Sequence, residues 1–148
     1  MKPRRTGVPA RNQRRTQVVT ARRERAVIEP RPLSGKERGV LGSLLGQDFE
    51  GAGTLRGQLP HTLVVGGCTC GCVTIDLAVD KDIAEPAVLA SGPIRSEAAI
   101  LNSAGEPLGS VIVLLHEGFL RTLEVFSYGH PISVWPDPDR MKLVLRDI

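Results

Sequence analysis

Helical spacing in one stretch of the chain, followed by strand-like alternation through the rest, predicts an α+β fold: an N-terminal pair of short helices packed on a mostly antiparallel β-meander sheet. Three observations carry this expectation. A capping box at Ser34 to Glu37 opens a run of apolar residues at helical spacing, the apolar period falls to two beyond Pro60, and Glu117-Gly118 separates two β-rich runs. With 148 residues and a hydrophobic fraction of 41%, the chain builds one core and not two.

Each element follows from local chemistry. In Ser34-Gly35-Lys36-Glu37 the hydroxyl caps one orphan amide and the carboxylate three residues on reaches back to another. Val40, Leu41, Leu44 and Leu45 then share one helical face, and Gly46 supplies a stop. Phe49, Ala52, Leu55 and Leu59 repeat the spacing, so a second short helix is expected across Gly51 to Leu59, ended by Pro60. Val73, Ile75, Leu77 and Val79 alternate with Thr74, Asp76, Ala78 and Asp80, as in a half-buried strand. Further strands are read at Pro86 to Ala90, Glu97 to Ser103, Val111 to His116 and Phe119 to Tyr128, the last two forming a hairpin. Trp135-Pro136-Asp137-Pro138-Asp139 is a rigid connection, because neither proline donates to a ladder, and Met141 to Arg146 closes the sheet.

Charge divides the chain more sharply than hydropathy does. Residues 1 to 32 hold ten Lys or Arg against two acids, a balance of +8, while the remaining residues balance at −5. Residues 1 to 32 therefore read as a disordered arginine-rich arm with too little apolar surface to offset its ordering entropy, and 33 to 148 as one α+β domain. Arg4, Arg5, Arg14, Arg15, Arg22 and Arg23 are the candidate nucleic-acid-binding residues of that arm, since each arginine that neutralises a phosphate releases counterions. An inert solvated extension, a misplaced translation start and a cleaved presequence account for the same composition.

Several function classes are excluded or weakened. The longest apolar run, Val111 to Leu115, is far short of the roughly 20 residues a membrane helix needs, so no membrane is expected as a partner. No apolar stretch follows the basic start, which makes a cytoplasmic location the expectation. Only 3% of residues are aromatic, which argues against a surface that reads bases by stacking. Gly51-Ala52-Gly53 does not follow a strand, Ser110 and Ser127 lie in no G-x-S-x-G setting, and Asp76, Asp80, Asp82, Glu117 and Glu124 read as a solvated face.

One cluster remains. Cys68-Thr69-Cys70-Gly71-Cys72 gathers all three cysteines within five residues, behind Gly66-Gly67. In an extended strand they would share one face; with a turn at Gly71 they would converge. Three thiolates can fill three vertices of a tetrahedral zinc site, with His61 as the nearest fourth ligand in sequence, His116 as the alternative and His130 as a third candidate. The spacing is not the C-x-x-C of zinc knuckles; inert burial, copper(I) binding and thiol redox chemistry are the competing readings. The odd number of cysteines argues against a structural disulfide framework.

At this motif the chain resembles small uncharacterised bacterial proteins that carry a Cys-x-Cys-Gly-Cys segment entering a strand, here Cys68 to Asp76, a later strand like Leu123 to Tyr128, and a Trp-Pro-Asp-Pro exit like Trp135 to Pro138. The resemblance spans about Leu33 to Met141, departs from the pattern at Val73, where a proline is usual, and implies no activity. The functional expectation is a small binding or interaction module rather than an enzyme, for a protein partner not identified by the sequence, with a cysteine-based zinc site. The alternatives are a nucleic-acid-associated protein anchored by its arm and a thiol redox or metal-dependent enzyme.

Overall fold

The computed structural model describes residues 25–147 and shows an α+β arrangement: one seven-stranded antiparallel sheet with two helices. In chain order the elements are β1 (Arg25–Pro32), α1 (Gly35–Leu45), α2 (Ala52–Gln58), a 3-10 turn (Leu59–His61), β2 (Thr62–Cys68), β3 (Ile75–Val79), β4 (Gly92–Leu101), β5 (Pro107–His116), β6 (Phe119–Ser127), a second 3-10 turn (Pro138–Arg140) and β7 (Met141–Leu145). The strands lie in the order β1-β2-β3-β6-β5-β4-β7.

Two expectations are corrected here. The helices do not precede the sheet, because β1 comes before them and pairs antiparallel with β2, from Arg25 opposite Cys68 to Pro32 opposite Leu63. Nor is the sheet a simple meander: β4, β5 and β6 meander, but β6 then lies beside β3 and the last strand, β7, beside β4. The boundary expected at Leu33 accordingly falls one strand late. Val27 and Ile28 are too few to reveal a strand by pattern, and β1 is an edge whose residues are mostly exposed. Its Arg31, counted above with the arm, instead joins the strand to the helix: both Nη atoms donate to the Glu37 carboxylate at 2.9 Å. Residues 1–24, with Arg4, Arg5, Arg14, Arg15, Arg22 and Arg23, lie outside the described residues.

The capping box forms as its sequence dictates. The Glu37 amide donates to Ser34 Oγ at 3.1 Å and the Ser34 amide donates to Glu37 Oε1 at 2.8 Å. Behind it, Val40, Leu41, Leu44 and Leu45 are buried and join Leu55, Val64, Val113 and Leu123 in one core. That core lies on a single face of the sheet, where β4 turns Ile94, Ser96, Ala98 and Ile100 inward. Ser96 is the polar exception, and its hydroxyl donates to the Leu44 carbonyl at 2.6 Å.

At the far end of the core sits a fully buried side chain, Gln58. Its Nε2 donates to the carbonyls of Glu85 and Gly118 at 2.8 and 2.9 Å, and its Oε1 accepts from the Leu120 amide at 3.0 Å. The amide thus ties α2 to the loop before β4 and to the β5–β6 turn. That turn has φ of 53° at Glu117 and 84° at Gly118, the left-handed pair a two-residue hairpin requires. Only glycine fits the second position, since a Cβ there would overlap the Ala87 carbonyl oxygen. Pro86 to Ala90, expected as a strand, is loop, held by the Ala87 amide on the Gly118 carbonyl at 2.9 Å. Pro86 has no N–H to offer a ladder.

Replacing Gln58 by Ala leaves the buried Leu120 amide without its acceptor and opens a void, so we expect a loss of about 3 kcal/mol in urea denaturation at unchanged m. A second prediction concerns pH. Burial pushes the Glu37 carboxyl up, but the Arg31 guanidinium and the Ser34 amide and hydroxyl together hold it below its ordinary value. A carboxylate depressed in the folded state contributes stability that is present above the unfolded value of about 4.3 and is lost as pH falls through the lower folded value. The difference in Tm between the wild type and Glu37→Gln should therefore be largest near neutral pH and close in acid; a gap independent of pH would contradict this.

Candidate metal centre

The cysteines occupy the tip of the β2–β3 hairpin. Cys68 ends β2, the chain turns through Thr69 to Gly71, and Cys72 leads back toward β3. Gly71 has φ of 97°, a left-handed conformation that glycine adopts without strain. Of the two arrangements open to this spacing, the chain adopts the converging one.

Three hydrogen bonds from backbone amides pin the tip. The Cys68 amide donates to the Thr74 carbonyl at 3.3 Å, the Val73 amide to the Ile132 carbonyl at 3.1 Å, and the Val125 amide to the buried Thr74 hydroxyl at 3.0 Å. Just below, β1 and β2 approach so closely that a Cβ on Gly66 would stand 2.8 Å from the Ala26 carbonyl oxygen. Gly66 is therefore a packing requirement of the sheet and not merely a source of freedom ahead of the cysteines. The resulting loop is braced by β1, by β6 and by the segment that follows β6.

Within this frame the sulfurs meet. Cys68 Sγ and Cys70 Sγ are 2.7 Å apart, Cys70 Sγ and Cys72 Sγ 3.0 Å, and all three lie within 4.8 Å of one another as free thiols. The Cys70 amide also points at Cys68 Sγ, at 3.4 Å. In a tetrahedral zinc site with Zn–S of about 2.3 Å, the sulfurs stand about 3.8 Å apart. Reaching that spacing asks Cys70 Sγ to move away from both neighbours, and the Cys70 side chain is exposed whereas Cys68 and Cys72 are half-buried. Three close cysteines of this kind can hold a metal ion.

The histidines do not join them. Thr62 pairs with Val79 at one end of β2 and Gly67 with Ile75 at the other, so His61 lies a full strand away from Cys68, about 20 Å at 3.3 Å per residue. His116 pairs with Phe119, whereas β3 meets β6 at Leu123, which puts His116 at the same far end as His61. His130 belongs to the cysteine end: its neighbour Pro131 lines, with Cys68, Cys70 and Cys72, a hollow of about 270 Å³. Among the described residues no histidine nitrogen or carboxylate comes within 4.8 Å of all three sulfurs. Asp76, Asp80, Asp82, Glu117 and Glu124 likewise form no cluster of three there.

Sequence reasoning missed one member of this neighbourhood, Arg25. It faces Cys68 across the β1–β2 ladder and lines the same hollow as the sulfurs. Its only signal was its place in a basic run. No family model, curated protein or solved structure matches the chain.

These distances generate a direct expectation. His61→Ala and His116→Ala should leave zinc stoichiometry and affinity within about twofold of the wild type in a chelator competition, because neither ring is within reach of the sulfurs. A tenfold loss in either variant would place that histidine in the coordination sphere.

Proposed function

We propose that this chain is a small interaction module built around a zinc ion held by Cys68, Cys70 and Cys72. The observation that carries the reading is the convergence of three free sulfurs within 4.8 Å on a loop pinned by three hydrogen bonds, one within the hairpin, one to the segment after β6 and one from β6. Zinc suits such a donor set because it imposes no d-electron geometry and binds thiolates well. Three thiolates on a divalent ion leave one coordination position and one net negative charge. Cys70 is the exposed member of the three, so water or a side chain of a protein partner would supply the fourth ligand.

The module reading rests on the sulfurs themselves: among the described residues no histidine or carboxylate joins all three within 4.8 Å, and Glu124 of β6 lines the hollow beside them. A reducing compartment such as the cytoplasm keeps the three thiols available for metal. Kinship with the bacterial proteins that share the cysteine strand entry and the Trp-Pro-Asp-Pro exit belongs to this same proposal, on the strength of Cys68 to Cys72 and Trp135 to Pro138.

Metal analysis of the full chain purified under reducing conditions tests the proposal. One zinc per chain is expected, with less than about a tenth of that in Cys70→Ser, and affinity should weaken as pH falls because the ligand is the thiolate. Wild-type protein that takes up no zinc when the reduced thiols are offered the metal would overturn it.

A further inference from the structure

The three cysteines differ in what holds them. Cys68 is the last residue of β2, and its amide is bound to the Thr74 carbonyl at 3.3 Å. Cys72 is half-buried and packs against the core, and the amide of the next residue, Val73, is bound to the Ile132 carbonyl at 3.1 Å. Cys70 lies between them in the turn, exposed, and its sulfur makes both short contacts, 2.7 Å to Cys68 Sγ and 3.0 Å to Cys72 Sγ. A Cβ added at neighbouring Gly71 would meet no atom within 4 Å, so the ground next to Cys70 is open to an incoming molecule.

Such an arrangement suits an exchange of sulfur partners as well as it suits a metal. Thiol–disulfide exchange proceeds by attack of one sulfur on another through a mixed disulfide, and its rate depends on access and on the placing of the attacking sulfur. Access belongs to Cys70. Placing belongs to Cys68, whose Sγ, 2.7 Å from Cys70 Sγ, is already within the separation of about 3 to 3.5 Å at which reacting atoms are poised. The Cys70 amide, 3.4 Å from the same Cys68 Sγ, points at it. Cys72 is the weaker competitor, with the longer contact and a side chain engaged with the core.

We propose that Cys70 is a site of thiolation by a low-molecular-weight disulfide and that Cys68 resolves the adduct, leaving a Cys68–Cys70 disulfide and a free Cys72. In the first step Cys70 Sγ attacks the small disulfide and bonds to one of its sulfurs. The S–S bond of the small molecule breaks, and its other half leaves as a thiol that takes up the Cys70 proton. In the second step Cys68 Sγ attacks Cys70 Sγ, the mixed disulfide breaks, and the second half leaves as a thiol with the Cys68 proton. Two protein thiols are oxidised, and one small disulfide is reduced to two thiols. Where zinc is held by the three sulfurs, the bridge removes two of its ligands and releases the ion. That consequence rests on the zinc reading, whereas the exchange needs only the thiols.

The test treats the reduced, metal-free full chain with glutathione disulfide and follows the products by intact mass and by alkylation of the remaining thiol. The wild type should gain one internal disulfide without accumulating a glutathione adduct, and fragmentation should place the alkylated thiol at Cys72. Cys72→Ser should close the same bridge within about twofold of the wild-type rate, while Cys68→Ser should accumulate the adduct on Cys70 and Cys70→Ser should form any bridge about tenfold more slowly or not at all. A bridge formed at the wild-type rate in Cys68→Ser or Cys70→Ser, a dominant Cys70–Cys72 product, or a lasting adduct on wild-type Cys70 would overturn the proposal. A second arm loads the reduced chain with zinc and reads its release with a colorimetric chelator, which should keep step with the bridge. Zinc retained by the bridged chain would overturn the link to the metal. A chain that takes up no zinc would overturn the zinc reading alone, with the exchange decided by the metal-free arm.

Discussion

The buried amide of Gln58 is the joint from which the rest of the molecule is measured. It holds the end of α2 against the β5–β6 turn and the loop before β4, using both amide hydrogens and the carbonyl oxygen. The Gln58 backbone carbonyl also accepts from the buried Thr62 hydroxyl at 2.8 Å, which fixes where β2 begins. From that point β2 runs to Cys68, with one shift of register between Val64 and Gly66. The cysteine tip is therefore set one strand length from the joint, and the histidines that stay at the joint end are kept from it by the same geometry. A fully satisfied polar group in an apolar core specifies one docking of helix on sheet, since any other leaves its hydrogen bonds unmade.

How far this was legible in the sequence depended on whether the signal was local. Ser34 and Glu37 write their helix start in four residues, Glu117-Gly118 writes its turn in two, and both form as read. The alternation of Ile75, Leu77 and Val79 likewise marks β3, because burial on one face is recorded residue by residue. What failed was non-local. β1 has little pattern of its own and exists as a strand by pairing with β2, and β2 was hidden because Gly66 and Gly67 look like a loop until the close approach of Ala26 explains them. Pro86 to Ala90 has strand-like residues, but Pro86 has no N–H and the Ala87 amide goes to the Gly118 carbonyl of the β5–β6 turn, so the segment forms no ladder.

The site divides in the same way. Convergence of Cys68, Cys70 and Cys72 needs only a reversal inside five residues, and Gly71 advertises one. The fourth ligand is a question of tertiary placement, where nearness in sequence misleads: His61 is seven positions from Cys68, but those positions form an extended strand that carries it away. Arg25 makes the converse point. It lies far from the cysteines in sequence and directly opposite Cys68 in the ladder.

Arg25 also explains why net charge is a poor guide to this surface. It lines both the hollow beside the sulfurs and the groove between β1 and β3, with the Asp76 carboxylate 4.0 Å from its Nη1. The acids that make the folded part negative are largely elsewhere or committed, as Glu37 is to Arg31 and Glu97 to Arg146. The open face needs such charges for a further reason. An uncovered sheet with Leu63 and Val144 exposed would invite stacking, and unpaired edges would invite pairing. Pro30 and Pro32 interrupt the donors of β1 at one edge, and Lys142 places a cation on β7 at the other.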